Sequence, residues 1–467
     1  MERDPDTGLS IIVTGAGIAG LSFAIEAYRK GHNVKVIERR ANFEELSDMI
    51  AIQPSALRTP AKWPGFSERV RKIAWEPVLE LWKYDGEHID TMHTGQATDG
   101  SAALPIPRAY FHNALRGVAD EVGIPISFSA VAEEFCDLPD SASVRLRDGQ
   151  VLKADVIVAA DGWRSKSRLA VGDIPEPIST GYSIYRAAYK AEEAMRNTIL
   201  KEHWRRDKSQ LDVFFGADAH AFVGKSEDMI FWTLTRRDRG GNLEEDLADF
   251  QVPIQEAQSA VNGWAPLLSA LVQETPSNAV IDWKLTWRDP DPRWSTPNGR
   301  IVQIGDAAHT FLPTSASGAT MAMEDAFTLA TCLAMTAKTD VARAIQVYIT
   351  LRYMRELWGP DRARFERVAA AQKMGIKNRE RFHHLDWDEI RRDPAKVMGQ
   401  IPKWISDHDP EQYAVDNFDE CMKCILIGTR FENTNSVPGY KYEDWTLKDL
   451  METVERGEKI LDDGDWT

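Results

Sequence analysis

"IIVTGAGIAGLSFAIEAYRKGHNVKVIERR", residues 11–40, is the stretch on which the fold turns. An apolar strand over residues 9–14 enters Gly15-Ala16-Gly17-Ile18-Ala19-Gly20. Residues 20–30 then have helical spacing and stop at Gly31, a C-cap residue, before "NVKVIE" forms a second strand closed by Glu38. A G-x-G-x-x-G turn alone is weak evidence. One that follows a strand, opens a helix and is followed by a strand ending in an acid is a dinucleotide-binding βαβ unit. Gly15 permits the tight turn, Gly17 lets the backbone approach a pyrophosphate, and Gly20 lets helix pack on sheet. The helix N-terminus offers N–H groups and positive potential to the phosphates. Glu38 accepts from ribose hydroxyls and repels a 2′-phosphate, so this turn is no site for NADP.

Two further segments share that grammar. "ADVIVAADGWRSKSR" (154–168) is a buried strand opening into a polar turn at Asp161-Gly162. "GRIVQIGDAAHTFLPTSASGATMAMEDAFTLATCLA" (299–334) is a strand ending in Gly305-Asp306, then a loop, then a long helix. Strands buried on both faces of a parallel sheet look like this, and ligands collect at their carboxyl ends. The fold class is therefore α/β. Over residues 176–294 the texture changes to short alternating runs such as "SIYRAAYKA", "DMIFWTLTRR" and "AVIDWKLTWRD", which predict an antiparallel sheet with one face covered. Trp232, Trp264, Trp283, Trp287 and Trp294 fall here or beside it, either as core or as the wall of an aromatic pocket. Charged helical patterns run from 338 to about 430, and the acidic tail from Leu447 reads as a surface helix that frays.

The bulk numbers exclude several classes. A formal net charge of −16 argues against nucleic acid or anionic lipid as partner. No apolar run approaches the roughly 18 residues of a membrane span, and "MERDPDTGLS" has no secretory pattern. Four cysteines are too few for a disulfide scaffold at this length, which points to the cytosol. "CMKC" (421–424) lacks the second pair that zinc needs and the βαβ context of a thioredoxin-like motif, so no metal site is expected.

Together, "GAGIAG" with Glu38, "DGWRSKSR" and "GDAAHTFLPTSASGATMAMEDA" resemble the class A flavoprotein monooxygenases, the family of para-hydroxybenzoate and salicylate hydroxylases. The resemblance covers most of the first 330 residues. It implies a Rossmann-like FAD-binding domain of the glutathione-reductase type (1–75, 104–175 and 295–350), an inserted substrate domain on an antiparallel sheet (76–103 and 176–294), and a C-terminal helical region (351–467). It implies non-covalent FAD, with NADPH or NADH as transient reductant and O2 as co-substrate. Carried onto this chain, Glu38 holds the adenosine ribose with Arg39 and Arg40 near the adenine end, and Arg108 in "PRAYFHNAL" contacts the cofactor. Asp161 and Gly162 serve FAD and nicotinamide, Gly305 and Asp306 hold the ribityl chain, and Pro313 through Thr320, including Gly318 and Ala319, run beside the isoalloxazine ring. The family usually has two glycines around a glutamine where this chain has Ala316-Ser317-Gly318, which restricts φ. His309 matches a histidine that supports the loop.

In this family a flavin C4a-hydroperoxide delivers the oxygen, and the protein binds, aims and excludes water. Two residues are candidates for catalysis. Arg186 lies in "GYSIYRAAYK", where alternation puts Tyr182, Ile184 and Arg186 on one strand face. Related fungal enzymes often carry an arginine there. Asp48, in "LSDMIAIQPSALR", stands where the family has a small residue; an acid there is costly unless paired. An Asp–Arg pair facing inward suits indole 2,3-epoxidation of an alkaloid with spiro-oxindole rearrangement, as in similar fungal natural-product monooxygenases. A phenol or salicylate-type hydroxylase is the alternative. A halogenase lacks support because W-x-W-x-I-P is missing, and the second and third motifs argue against a non-catalytic FAD-fold binding protein.

Overall fold

The computed structural model describes residues 1–43, 47–94, 96–172, 175–205, 211–238, 250–352, 367–398, 401–440, 443–460 and 464–465. Residues 353–366 of the expected charged helical run lie outside them. No helix among the described residues is long and apolar enough to cross a membrane.

The glycine-turn unit forms as its pattern dictates: strand Ser10–Thr14, helix Ile18–Arg29, strand Asn33–Ile37. These strands join a five-stranded sheet in the order 301–303, 156–159, 10–14, 33–37, 126–127, with every pairing parallel. Register positions the site. Thr14 pairs with Ala159 and Ala159 with Gln303, so the three strands end side by side. Gly15, Asp161 and Gly305-Asp306 follow within two or three residues and therefore share one edge. Helices Ile18–Arg29, Gly318–Ala334 and Val341–Arg352 contribute to the same large core cluster as Val13, Val156, Val158 and Val302. A three-stranded antiparallel sheet (132–137, 142–146, 151–154) packs Phe135, Val144 and Leu146 with Ile12, Ile37, Ile157 and Ile301.

The second large sheet has eight strands in the order 250–251, 281–287, 178–190, 229–237, 219–225, 211–216, 78–83, 88–93. All pairings are antiparallel except 211–216 with 78–83. Both faces are occupied. Tyr185, Ala187, Tyr189, Trp232 and Leu234 form a core with helices Thr198–His203, Ile254–Ala260 and Pro266–Gln273. The opposite face puts Leu81, Val213 and Phe215 against Phe382 at the end of helix Arg367–His383. Trp232, Trp287 and Trp294 are buried core, whereas Trp283 is half-buried.

The C-terminal tail departs from the expected fraying surface helix. Helix Leu447–Glu455 has a capping box made by Thr446 and Asp449, and the Leu447 N–H donates to Asp289. Leu447 and Leu450 are buried and Trp445 packs on Trp287 with ring centroids 5.9 Å apart. Acidity marks the outer face, while the apolar residues at helical spacing dock it. Cys421 and Cys424 are free and buried, burial pushes the Cys421 thiol up to about 12, and no metal-ligand cluster occurs among the described residues.

Candidate active site

The first part of the site is backbone. Gly15 has φ +99°, and a Cβ on it would lie 2.4 Å from the Ala160 carbonyl oxygen; one on Gly20 would lie 2.0 Å from the Gly15 oxygen. Those two glycines are demanded by the chain's own packing. Gly17 differs: a Cβ there meets nothing within 4 Å. Its value is the open face it leaves at the start of helix Ile18–Arg29, whose first turn has neither a side-chain cap nor an acid among the described residues. Free N–H groups around an open face fit a diphosphate. Glu38, 9% exposed, accepts from the N–H groups of Ala16 and Arg40, each at 2.8 Å, and so ties the turn to the second strand. Arg39 and Arg40 are exposed beside it.

The neighbouring strand ends supply carboxylates. Gly162 has φ +82° and Gly305 φ +58°; a Cβ on Gly305 would come 3.0 Å from Ala19 Cβ and 3.1 Å from Ala322 Cβ. Asp306 is exposed to solvent, and the loss of hydration to the protein atoms around it raises its carboxyl above the ordinary range. Asp161 is pushed up to about 6 by burial, against a hydrogen bond from Ser165. Arg288 links the two turns by donating to the Trp163 carbonyl at 3.2 Å and the Asp306 carbonyl at 3.0 Å.

The loop after His309 is clamped from two sides. Pro313 opens a short 3-10 turn, Pro313–Ser315, and Gly318 and Ala319 begin helix Gly318–Ala334, whose first turn has no side-chain cap among the described residues. Ala316 adopts φ +48° and ψ +24°, so an alanine holds the left-handed conformation that glycine takes without steric cost. Gln53 donates to the Ala316 carbonyl at 3.1 Å and its backbone N–H to Thr320 Oγ1 at 3.0 Å. From helix Arg367–His383, Gln372 donates to the Thr310 carbonyl at 2.7 Å and Asn378 to the Thr314 carbonyl at 3.0 Å.

Asp48, Arg108 and Arg186 meet. Met49 pairs with Pro107 in a two-stranded ladder, which sets Asp48 opposite Arg108: the Arg108 N–H donates to the Asp48 carbonyl at 2.9 Å. Arg108 Nε lies 3.3 Å from Asp48 Oδ1, and Arg186 NH1 lies 3.5 Å from Oδ2. The Asp48 and Arg186 side chains are only 14% and 16% exposed. Arg186 stacks over Trp283 at 4.9 Å. Register puts Ile281, Thr233 and Phe222 in the same row of the sheet as Arg186, and all three are half-buried, as is Trp283. This row and the Asp48 segment together make a partly aromatic wall with one shared carboxylate between two guanidiniums.

Sequence reasoning missed the charges beneath this loop. Glu324 and Asp325 are fully buried in helix Gly318–Ala334, together with Arg352 and Arg367. Glu324 receives Arg352 NH1 at 2.6 Å, Arg367 Nε at 2.8 Å and Ser55 Oγ at 2.7 Å. Asp325 receives Arg352 Nε at 2.8 Å, His309 Nε2 at 2.6 Å and the Gly305 N–H at 3.0 Å. Burial pushes both carboxyls up, and the arginines, with His309 for Asp325, outweigh it and hold them below their ordinary range. The signal was present: adjacent acids inside an otherwise apolar helix.

A family model described as FAD binding domain matches residues 9–353. The FAD-dependent monooxygenase fsr3 of Gibberella fujikuroi is 34% identical over 100% of this chain and 91% of its own length. The crystal structure of CtdE in complex with FAD and a substrate superposes with a TM-score of 0.80 at 27% identity, covering 90% of this chain and all of that one. A salicylate hydroxylase substrate complex shares the fold, with a TM-score of 0.65 at 21% identity over 87% of this chain and 97% of that one. The chain belongs to the FAD-binding monooxygenase family and is an FAD-dependent monooxygenase.

Proposed function

We propose that this monooxygenase uses NAD(P)H and O2 to insert one oxygen atom into an electron-rich aromatic natural product, with an indole 2,3-bond as the leading target and rearrangement to a spiro-oxindole as its outcome. Bound FAD supplies the electrophilic oxygen. The observation that carries the proposal is the sharing of Asp48 between Arg186 and Arg108 beside Trp283.

The cradle of Gly15, Gly17, Gly20 and Glu38 would hold the diphosphate and ribose, Gly305 and Asp306 the ribityl chain, and the loop from Pro313 to Ala319 the ring, with Arg108 beside it. Asp161 and Gly162 would contact the cofactor from the neighbouring strand end. At the reacting end Asp48 accepts the substrate N–H, which orients the ring against Trp283 and the half-buried row of the sheet. Arg186, relieved of part of its pairing, donates to the oxygen that becomes an alkoxide as the epoxide opens, where a fixed cation lowers the barrier most. CtdE, solved with FAD and a substrate in the same fold, supports the view that this fold accommodates a substrate beside FAD. A phenol or salicylate-type hydroxylase is the second reading, because the Arg186 guanidinium beside Trp283 can also donate to a phenolate or carboxylate.

The test couples NAD(P)H consumption to product mass on indole alkaloids, phenols and salicylates. An indole product one oxygen heavier, formed in step with reductant use, supports the first reading. Coupled turnover of phenols or salicylate alone transfers the assignment to the second.

A further inference from the structure

We propose that Asp325 is a positioning residue that sets the turn Gly305–His309 for FAD before the cofactor arrives. Successive helix residues point about 100° apart. Glu324 and Asp325 therefore serve different neighbours although they share Arg352. Glu324 reaches Ser55 and Arg367, away from the turn. Asp325 reaches the turn at both ends, through the Gly305 N–H at 3.0 Å and His309 Nε2 at 2.6 Å. Arg352 Nε fixes the same carboxylate from behind at 2.8 Å.

The turn between these anchors leaves little room. Gly305 takes a positive φ with Ala19 and Ala322 against its Cα, the His309 N–H returns to the Gly305 carbonyl at 2.9 Å, and the His309 ring lies 5.1 Å from that of Trp294. Asp306 stands on this turn, exposed to solvent. A buried carboxylate held by a guanidinium does not swing, so it transmits a fixed position to Asp306 without touching the cofactor. Without it, the turn would have to be ordered when FAD binds, and affinity would fall by that cost.

The experiment titrates each apoprotein with FAD, following flavin fluorescence, and measures its melting temperature separately. His309→Leu deletes the donor to Asp325 while leaving the Asp325–Arg352 pair intact, and should raise the FAD dissociation constant about tenfold or more. His309→Gln puts an N–H donor near the position of Nε2 and should recover affinity to within about threefold of the parent. Glu324→Gln weakens the same buried network on the side away from the turn, so it should lower the melting temperature and leave FAD affinity within about twofold. Asp325→Asn, where it folds, should match His309→Leu. Parental affinity in His309→Leu, or a Gln variant as weak as the Leu variant, overturns the proposal. So does a loss of FAD affinity in Glu324→Gln as large as that in His309→Leu, because the effect would then follow general stability.

Discussion

The two ends of the proposed cofactor site are built differently. At the diphosphate end, Gly15 to Gly20 and the strand Asn33–Ile37 are close in sequence, and backbone geometry does the work. At the proposed reacting end, Asp48, Arg108 and Arg186 come from three distant segments and meet through side-chain contacts of 3.3 and 3.5 Å. The first end tolerates little change because its atoms are already in contact. The second is adjustable, since its contacts run through long arginine side chains with many rotamers, which can re-aim toward a ligand.

That contrast can be attacked by mutation. Gly20→Ala forces a Cβ to within 2.0 Å of the Gly15 oxygen and should destabilise the apoprotein by about 3 kcal/mol or prevent folding, read from denaturant unfolding. Gly17→Ala meets open space; its apoprotein should melt like the parent, while FAD affinity falls about tenfold as the methyl group crowds the diphosphate. Equal losses of stability in the two variants would end the distinction between packing glycine and ligand glycine.

The seam between the large sheet and helix Arg367–His383 adds a pH dependence. His220 and His383 are buried 2.9 Å apart, and burial, reinforced by Arg379 and, for His383, first by His220, lowers them to about 3 and about 2. Both are neutral in the folded protein at pH 7. An unfolded histidine titrates near 6.5, so below that pH the unfolded chain binds protons that the native one does not. Stability contributed by each is therefore lost as pH falls from about 6.5 toward 3, at up to about 1.4 kcal/mol per pH unit per histidine. Unfolding followed from pH 7 to 5 should show this slope, reduced in His220→Gln; an unchanged slope would assign the acid sensitivity elsewhere.

At the adjustable end, Asp48→Ala should lower turnover about tenfold to a hundredfold with FAD retained, because it removes a carboxylate that Arg186 pairs with and not the cradle. Unchanged turnover removes Asp48 from the mechanism. The smallest effect expected is a gain: Ala316→Gly relieves a left-handed alanine and should stabilise the protein by about 0.5 kcal/mol after the entropy cost of glycine, seen as a rise in melting temperature.

Much of the diphosphate end was legible in the sequence. Strand, turn and helix are local, and G-x-G-x-x-G with Glu38 names its own geometry. The parallel strands that end at Asp161 and Asp306 were legible for the same reason, as short apolar runs closed by turn residues. Alternation around Arg186 gave the face it shares with Tyr182 and Ile184. Other features were not local. The docking of Leu447 and Leu450 was obscured by the acids around them, and the clamp of Gln372 and Asn378 on the loop depends on a helix far along the chain. Glu324 and Asp325 lie within the third motif, at its C-terminal end, but only their burial against Arg352 and Arg367 gives them a role.

The sequence by itself therefore determined the dinucleotide turn, the α/β class and the motifs that mark an FAD-dependent monooxygenase, because each is encoded within a few turns of chain where steric rules act directly. The tertiary structure decided which charges meet. Whether Asp48 faces Arg186, whether Asp325 holds Gly305, and whether Ala316 adopts a left-handed conformation depend on strand register and on the packing of remote helices. Those are set by the burial of the whole core, and no short stretch of residues specifies them.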